Sequence, residues 1–141
     1  LAGEASVLEV SFDNVQQSNY QPNTVAIVDT SGSTPMTSSA TSAAAAADQV
    51  PLGVIMDKAK TDASGTPVKS SAMNVRVHGI ARVVANAAIA PGAYVGTATT
   101  AGRVVGVAAA SGAHPILGIA LNQAQAAGDQ ILVLLTPGVR V

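Results

Sequence analysis

The sequence predicts an all-β fold, and three observations predict it. Apolar residues recur with a period of two, short Val-, Ile- and Leu-rich segments are spaced evenly between turn residues, and helix-forming runs are scarce. Alternation is strictest in Met73-Asn74-Val75-Arg76-Val77-His78, and Ala81-Arg82-Val83 keeps the same parity after Gly79. Side chains of a strand point to opposite faces in turn, so Met73, Val75, Val77 and Val83 should share a core face. Arg76, His78 and Arg82 should share the wetter one. Even spacing of such strands argues for a sandwich or a barrel.

The elements follow in chain order. Leu8, Val10 and Phe12 alternate with Glu9 and Ser11, which makes a strand inside an N-terminal stretch, residues 1–23. That stretch is either an arm that adds to a partner's sheet edge or the first strand of the domain's own barrel. The main domain is expected over residues 24–141. Its further strands are residues 25–28, 52–56, 94–97, 104–108, 116–121 and 130–136, each bounded by Gly, Pro, Asn or Ser. Residues 31–49, rich in Ser, Thr and Ala, read as one long surface loop. Its run of alanines at 43–47 is too short for more than one helical turn. Residues 122–127, closed by Gly128, are expected to form another helical turn. Residues 57–72 read as a hairpin loop. Residues 99–102 read as a short one, with Gly102 at the position that needs a positive φ.

The chain also resembles itself. Pro51-Leu52-Gly53-Val54-Ile55-Met56 is similar to Pro115-Ile116-Leu117-Gly118-Ile119-Ala120. The stretch 86–95 aligns with 122–131, and Gln21-Pro22-Asn23-Thr24-Val25 is a fainter copy. The shared unit is a tight turn followed by a strand. Proline sets φ at the first turn position, and Gly or Asn tolerates positive φ at the next. Reuse of one such unit suits a closed or nearly closed barrel.

Composition narrows the function. The chain has 141 residues and fits one domain. It has no cysteine, so no disulfide, thiolate metal site or thiol nucleophile can be built. A net charge of -1 and three aromatic residues, Phe12, Tyr20 and Tyr94, argue against a nucleic-acid platform or an anionic membrane as partner. No apolar run is long enough to span a membrane as a helix, and residues 1–10 carry Glu4 and Glu9 without the basic stretch of a secretory signal. Charged residues make up only 11%, against roughly 25% in an ordinary soluble domain. A surface so poor in charge is expected to be covered by other copies or a partner.

Motifs for chemistry are missing. There is no phosphate-cradling glycine loop, no His-Glu-x-x-His and no Gly-x-Ser-x-Gly. His78 and His114 are read as ordinary imidazoles, and Asp13, Asp29, Asp57, Asp62 and Asp129 as turn and capping residues. Lys58, Lys60 and Lys69 could meet an acidic partner, but a solvated loop balanced by Asp57 and Asp62 is the favoured reading. No catalytic, cofactor-binding or metal-binding residue is expected, no cofactor and no small-molecule substrate; the chain is not expected to be an enzyme.

Six segments in order carry a resemblance: Val50-Pro51-Leu52-Gly53-Val54-Ile55, Val75-Arg76-Val77-His78-Gly79-Ile80-Ala81, residues 88–95, Ala101-Gly102-Arg103-Val104-Val105, Ile116-Leu117-Gly118-Ile119-Ala120, and residues 126–135. Together they resemble the capsid cement (decoration) proteins of tailed bacteriophages. The resemblance implies a small β-barrel or β-tulip domain that binds the outside of an expanded capsid and bridges neighbouring subunits. It implies the major capsid protein as partner, a homotrimer on the shell, synthesis in the host cytoplasm and residence on the virion exterior. Leu8, Val10, Phe12, Tyr20 and Arg140 are the candidate contacts to the capsid or a neighbouring subunit. The alternative is a β-barrel adhesion module, such as a head-fibre base or a receptor or glycan binder; the scarcity of aromatic rings weakens its carbohydrate version.

Overall fold

The computed structural model describes residues 7–13, 19–28, 40–42, 50–69, 71–100, 102–108 and 114–140. Every regular element among them is a strand. These are β1 (Leu8–Asp13), β2 (Val25–Val28), β3 (Ala40–Ser42), β4 (Pro51–Ile55), β5 (Ala72–Val84), β6 (Tyr94–Thr97), β7 (Val104–Gly106), β8 (His114–Ala120) and β9 (Gln130–Arg140). The named strands pair antiparallel in the order β3-β2-β4-β5-β9-β8-β6-β7, and β1 joins β5 outside that path. Beyond its ladder with β9, β5 runs into Ala85, which bridges Val104 of β7. Asn86 then donates its N–H to the Val104 carbonyl at 2.8 Å. The end of the path thus returns to its middle, and β5, β9, β8, β6 and β7 form a nearly closed barrel. Closure leaves few sheet edges to be satisfied elsewhere.

The repeated turn has one geometry in all three places. Asn23, Gly92 and Gly128 take φ of 63°, 81° and 95°, each just ahead of a strand: β2, β6 and β9. Ala93 closes the second turn by donating to the Ala90 carbonyl, and Asp129 closes the third by donating to the Ala126 carbonyl. The last two copies lock onto each other. Ile89 and Ala124 exchange both backbone bonds, at 2.9 and 3.0 Å. Gly92 donates to the Ala120 carbonyl and Ala120 to the Ala93 carbonyl; likewise Gly128 donates to the Ala85 carbonyl and Ala85 to the Asp129 carbonyl. This is a local two-fold through the Ile89–Ala124 bridge. Each turn feeds a strand that pairs with the strand entering the other: β6 with β8, and β9 with β5. The alignment of Asn86 with Asn122 is corrected by it. Ala85 and Ile89 match Ala120 and Ala124, so the second copy gains one residue just before its glycine.

The other internal match is also geometric. A Cβ at Gly53 would collide with the Arg76 carbonyl oxygen and lie 2.9 Å from Val75 Cγ1; one at Gly118 would collide with the Leu134 carbonyl oxygen and lie 2.9 Å from Val133 Cγ1. Both glycines sit where the neighbouring strand's backbone crosses too closely for a side chain.

Two cores result. Val25, Ile27, Val54, Ala81, Val83, Val95, Val104, Leu117, Ile131, Val133 and Leu135 fill the larger one, which includes the barrel interior. Tyr20, Ala26, Ile55, Ala59, Met73 and Val75 form the second, with Phe12, Leu52 and Val77 against it. Neighbours Val25 and Ala26, and Val54 and Ile55, go to different cores, so β2 and β4 are covered on both faces. That is why Val-Ala-Ile-Val and Pro-Leu-Gly-Val-Ile are unbroken apolar runs rather than alternating ones. The alternating face of β5 is buried as expected at Met73, Val75 and Val83, but it does not serve one core. On one side of Gly79 (φ 110°) it feeds the second core, on the other the barrel interior.

Three expectations change. Residues 122–127 form no helical turn: Ala124 is held in a bridge to Ile89, and Asp129 Oδ2 accepts the N–H groups of Gln125 and Ala126, which bends the segment away from a helix. The expected loop 31–49 contains β3, whose residues 40–42 pair with β2; the alanines at 43–47 lie outside the described residues. β9 is longer than 130–136, because its far half continues to pair with β8 beyond a bulge.

Candidate contact surfaces

β1 lies along the first half of β5, with Phe12 opposite Met73 and Val10 opposite Val75. Of the two readings of the N-terminal stretch, its strand pairs within its own chain. Three side-chain interactions hold it there. Arg76 Nη2 and Nε donate to Glu9 Oε1 at 2.7 and 3.2 Å, and the Ser11 hydroxyl donates to Asn74 Oδ1 at 2.6 Å. Both Glu9 and Arg76 remain partly exposed, so solvent screening keeps this pair weak, at most about 1 kcal/mol. The Arg76 guanidinium also donates to the Ile80 carbonyl at 2.8 Å, which ties β1 to the middle of β5.

The sequence-predicted contacts divide. Leu8 is exposed at 53%, while Val10 and Phe12 are half-buried, Phe12 against the second core. On its other side β1 pairs with no named strand among the described residues. Tyr20 is corrected: it has no exposed surface, and its hydroxyl donates to the Ala72 carbonyl at 3.0 Å, so it is a core residue that no partner can reach. Burial, and after it the Asp57 carboxylate, push the Tyr20 hydroxyl above its usual pKa, against an opposing hydrogen bond from Ser71. Arg140 closes β9 opposite His114; its side chain lies outside the described residues.

Of the acids expected at turns, Asp57, Asp62 and Asp129 accept backbone N–H groups, while Asp13 lies in β1. Asp57 Oδ1 accepts the Asn74 N–H at 3.2 Å. Asp62 Oδ1 accepts the Ser64 hydroxyl at 2.7 Å and the N–H groups of Ser64 and Thr66 at 2.9 and 3.0 Å, closing the tip of the 57–72 hairpin. Lys58, Lys60 and Lys69 are exposed around it. The Ser64 hydroxyl first, then the Thr66 N–H, hold the Asp62 carboxyl below its ordinary value. A depressed folded value means that the turn gains stability above the unfolded value of about 3.9 and loses it as pH falls through the folded one. We expect the Ser64 and Thr66 amide signals in NMR to report a midpoint below 3.9, and Asp62→Asn to abolish that titration. A midpoint at or above 3.9 contradicts the bonding.

Among the described residues no group of three or more His, Asp and Glu could hold a metal ion, and no helix is long and apolar enough to cross a membrane. His78 is exposed on β5 and His114 half-buried at the start of β8. Sequence reasoning overlooked one surface: Ile80, Leu121, Leu132 and Leu134 are exposed on the outside of the sheet. Two signals pointed to it. Ile80 breaks the polar parity of β5, and residues 131–135 are apolar without alternation, although the strand is exposed at every second residue.

No protein-family model and no curated protein matches the chain.

Proposed function

We propose that this chain is a structural virion protein that binds the outer surface of an expanded phage capsid and stabilises it by bridging neighbouring capsid subunits. The ordered set of six cement-like segments carries the reading. Five of them lie on or lead directly into β4, β5, β6, β8 and β9, and the remaining one, residues 101–105, leads through Gly102 into β7. The five on β5 to β9 are therefore the parts that make the barrel, and the sixth is the strand β4 that pairs with β5 beside it. A nearly closed barrel suits the role because pairing round the sheet leaves few strand edges for other molecules to satisfy. The side of β1 away from β5, with the exposed Leu8 beside it, can offer main-chain hydrogen bonds to a strand of a shell subunit. The low charge of 11% agrees with a surface that is covered in use, by the shell and by other copies in a homotrimer.

The test is to mix the purified chain with undecorated expanded capsids. Stoichiometric binding and a raised disruption temperature are expected. Failure to bind any mature shell at micromolar concentration removes the reading.

A further inference from the structure

Four adjacent strands carry an apolar row on the outside of the barrel. Ile80 of β5 stands opposite Leu134 of β9, Leu134 opposite Ile119 of β8, and Ile119 opposite Tyr94 of β6. Directly opposed residues in antiparallel strands share a face, so the four side chains line up across the strands. Their neighbours in sequence confirm the direction: Ala81, Leu135, Ala120 and Val95 are buried inside. A second, shorter row lies beside the first. Leu132 stands opposite Arg82, and the Leu121 N–H donates to the Leu132 carbonyl at 2.8 Å. Ile80 and Leu121 are 43% and 45% exposed, and Leu132 and Leu134 37% each; Ile119 and Tyr94 are half-buried.

We propose that this row is the surface through which the chain binds a second copy of itself. The claim deepens the homotrimer of the proposed function by naming its face, but it stands on the sheet register and not on the capsid.

Charge and size choose the occupant. The row of Ile80, Leu134, Ile119 and Tyr94 holds no charged side chain; Arg82 sits beside it, turned toward Gln130 Oε1 at 3.4 Å. A partner offering charged groups would bury them against this row with Arg82, at its side, as the one counter-charge in the two rows. A second copy offers the same uncharged row, and its net charge of -1 adds little repulsion. The exposed parts of the four aliphatic side chains amount to on the order of 300 Å², already the size of the largest patch on an ordinary monomer. A stable interface buries roughly 800 Å² per partner, about 65% of it apolar when copies pair. The two rows together supply somewhat more than half of that apolar centre, and the side chains of Arg82, His78 and Thr136 can supply a rim. Where copies meet around a three-fold axis, the residues nearest the axis face their own counterparts, so the centre of the row can pack against itself.

The absence of cysteine makes a direct test possible. Sedimentation of the wild-type chain is expected to show an oligomer at micromolar concentration. Leu134→Glu should sediment as a monomer with unchanged far-UV circular dichroism, while Val68→Glu, on the 57–72 hairpin, should remain oligomeric. Leu134→Cys should give covalent dimers on mild oxidation and Val68→Cys should not. A wild-type monomer at about 100 μM overturns the proposal, whatever else then covers the row. So does a Leu134→Glu chain that still assembles, or equal cross-linking of the two cysteine variants. The two readings separate cleanly. Self-association without shell binding removes only the capsid reading, and shell binding by a wild-type monomer removes only this one.

Discussion

Gly118→Ala is expected to destabilise the fold by about 3 kcal/mol or more, although it adds one methyl group. The added carbon would collide with the Leu134 carbonyl oxygen, and the Leu134 carbonyl carbon and Val133 Cγ1 would each be 2.9 Å away. Two of these three atoms are backbone, so no rotamer change relieves the contact. β8 would have to move away from β9 at the place where their register already shifts, between Ile116 and Gly118. Those strands form the wall between the two turn units, and separating them opens the barrel core at Leu117 and Leu135. Gly106→Ala is the control. A Cβ there meets nothing within 4 Å, and it should be neutral or stabilise by a few tenths of a kcal/mol. Urea denaturation of both variants reads the difference, and equal midpoints would show that the close crossing has no energetic weight. Gly53→Ala should behave like Gly118→Ala, because its Cβ would strike the Arg76 carbonyl oxygen.

Tyr20→Ala is expected to cost about 3–5 kcal/mol, as truncation of a buried aromatic residue does. Tyr20 is the largest fully buried side chain and stands in the second core with Met73, Ile55 and Val75. The core is small, and three of its members come from single positions in β2, the 57–72 hairpin and the segment before β2. Loss of the ring therefore unfastens several segments at once. The Ala59 N–H donates to the Tyr20 carbonyl at 3.0 Å, so the hairpin is also held through the residue's backbone. Tyr20→Phe keeps the ring and loses only the hydroxyl's bonds to Ala72 and Ser71, worth about 1 kcal/mol each. Thermal and urea unfolding should rank wild type, Tyr20→Phe and Tyr20→Ala in that order. A Tyr20→Ala chain as stable as Tyr20→Phe would mean that the ring is not a core element, and would restore Tyr20 as a surface contact.

The strands were legible because local physics writes them. Alternation at Met73, Val75 and Val77 and the apolar run of residues 25–28 each demand a pleated segment whatever surrounds them. The turns were legible for the same reason: Pro91-Gly92 and Pro22-Asn23 encode their dihedral angles in two residues. The placement of the candidate contacts was only half legible. The strand that carries Leu8, Val10 and Phe12 was found by period, but nothing local tells a core aromatic from an exposed one, and Tyr20 was misplaced. The row from Ile80 to Tyr94 could not be seen at all, since it joins residues on four strands through their register.

What the sequence by itself determined is therefore the all-β class, the positions of the strands, the three matching turns and the lack of chemistry-bearing motifs. The tertiary structure alone decided that β1 pairs with its own β5, that one face of β5 divides between two cores at Gly79, and that Ala85 meets Val104 to bring the sheet round on itself. The reason is that period two says that a strand has two faces but not what covers each. That choice is made by pairing between distant segments, where a shift of one residue exchanges inside for outside.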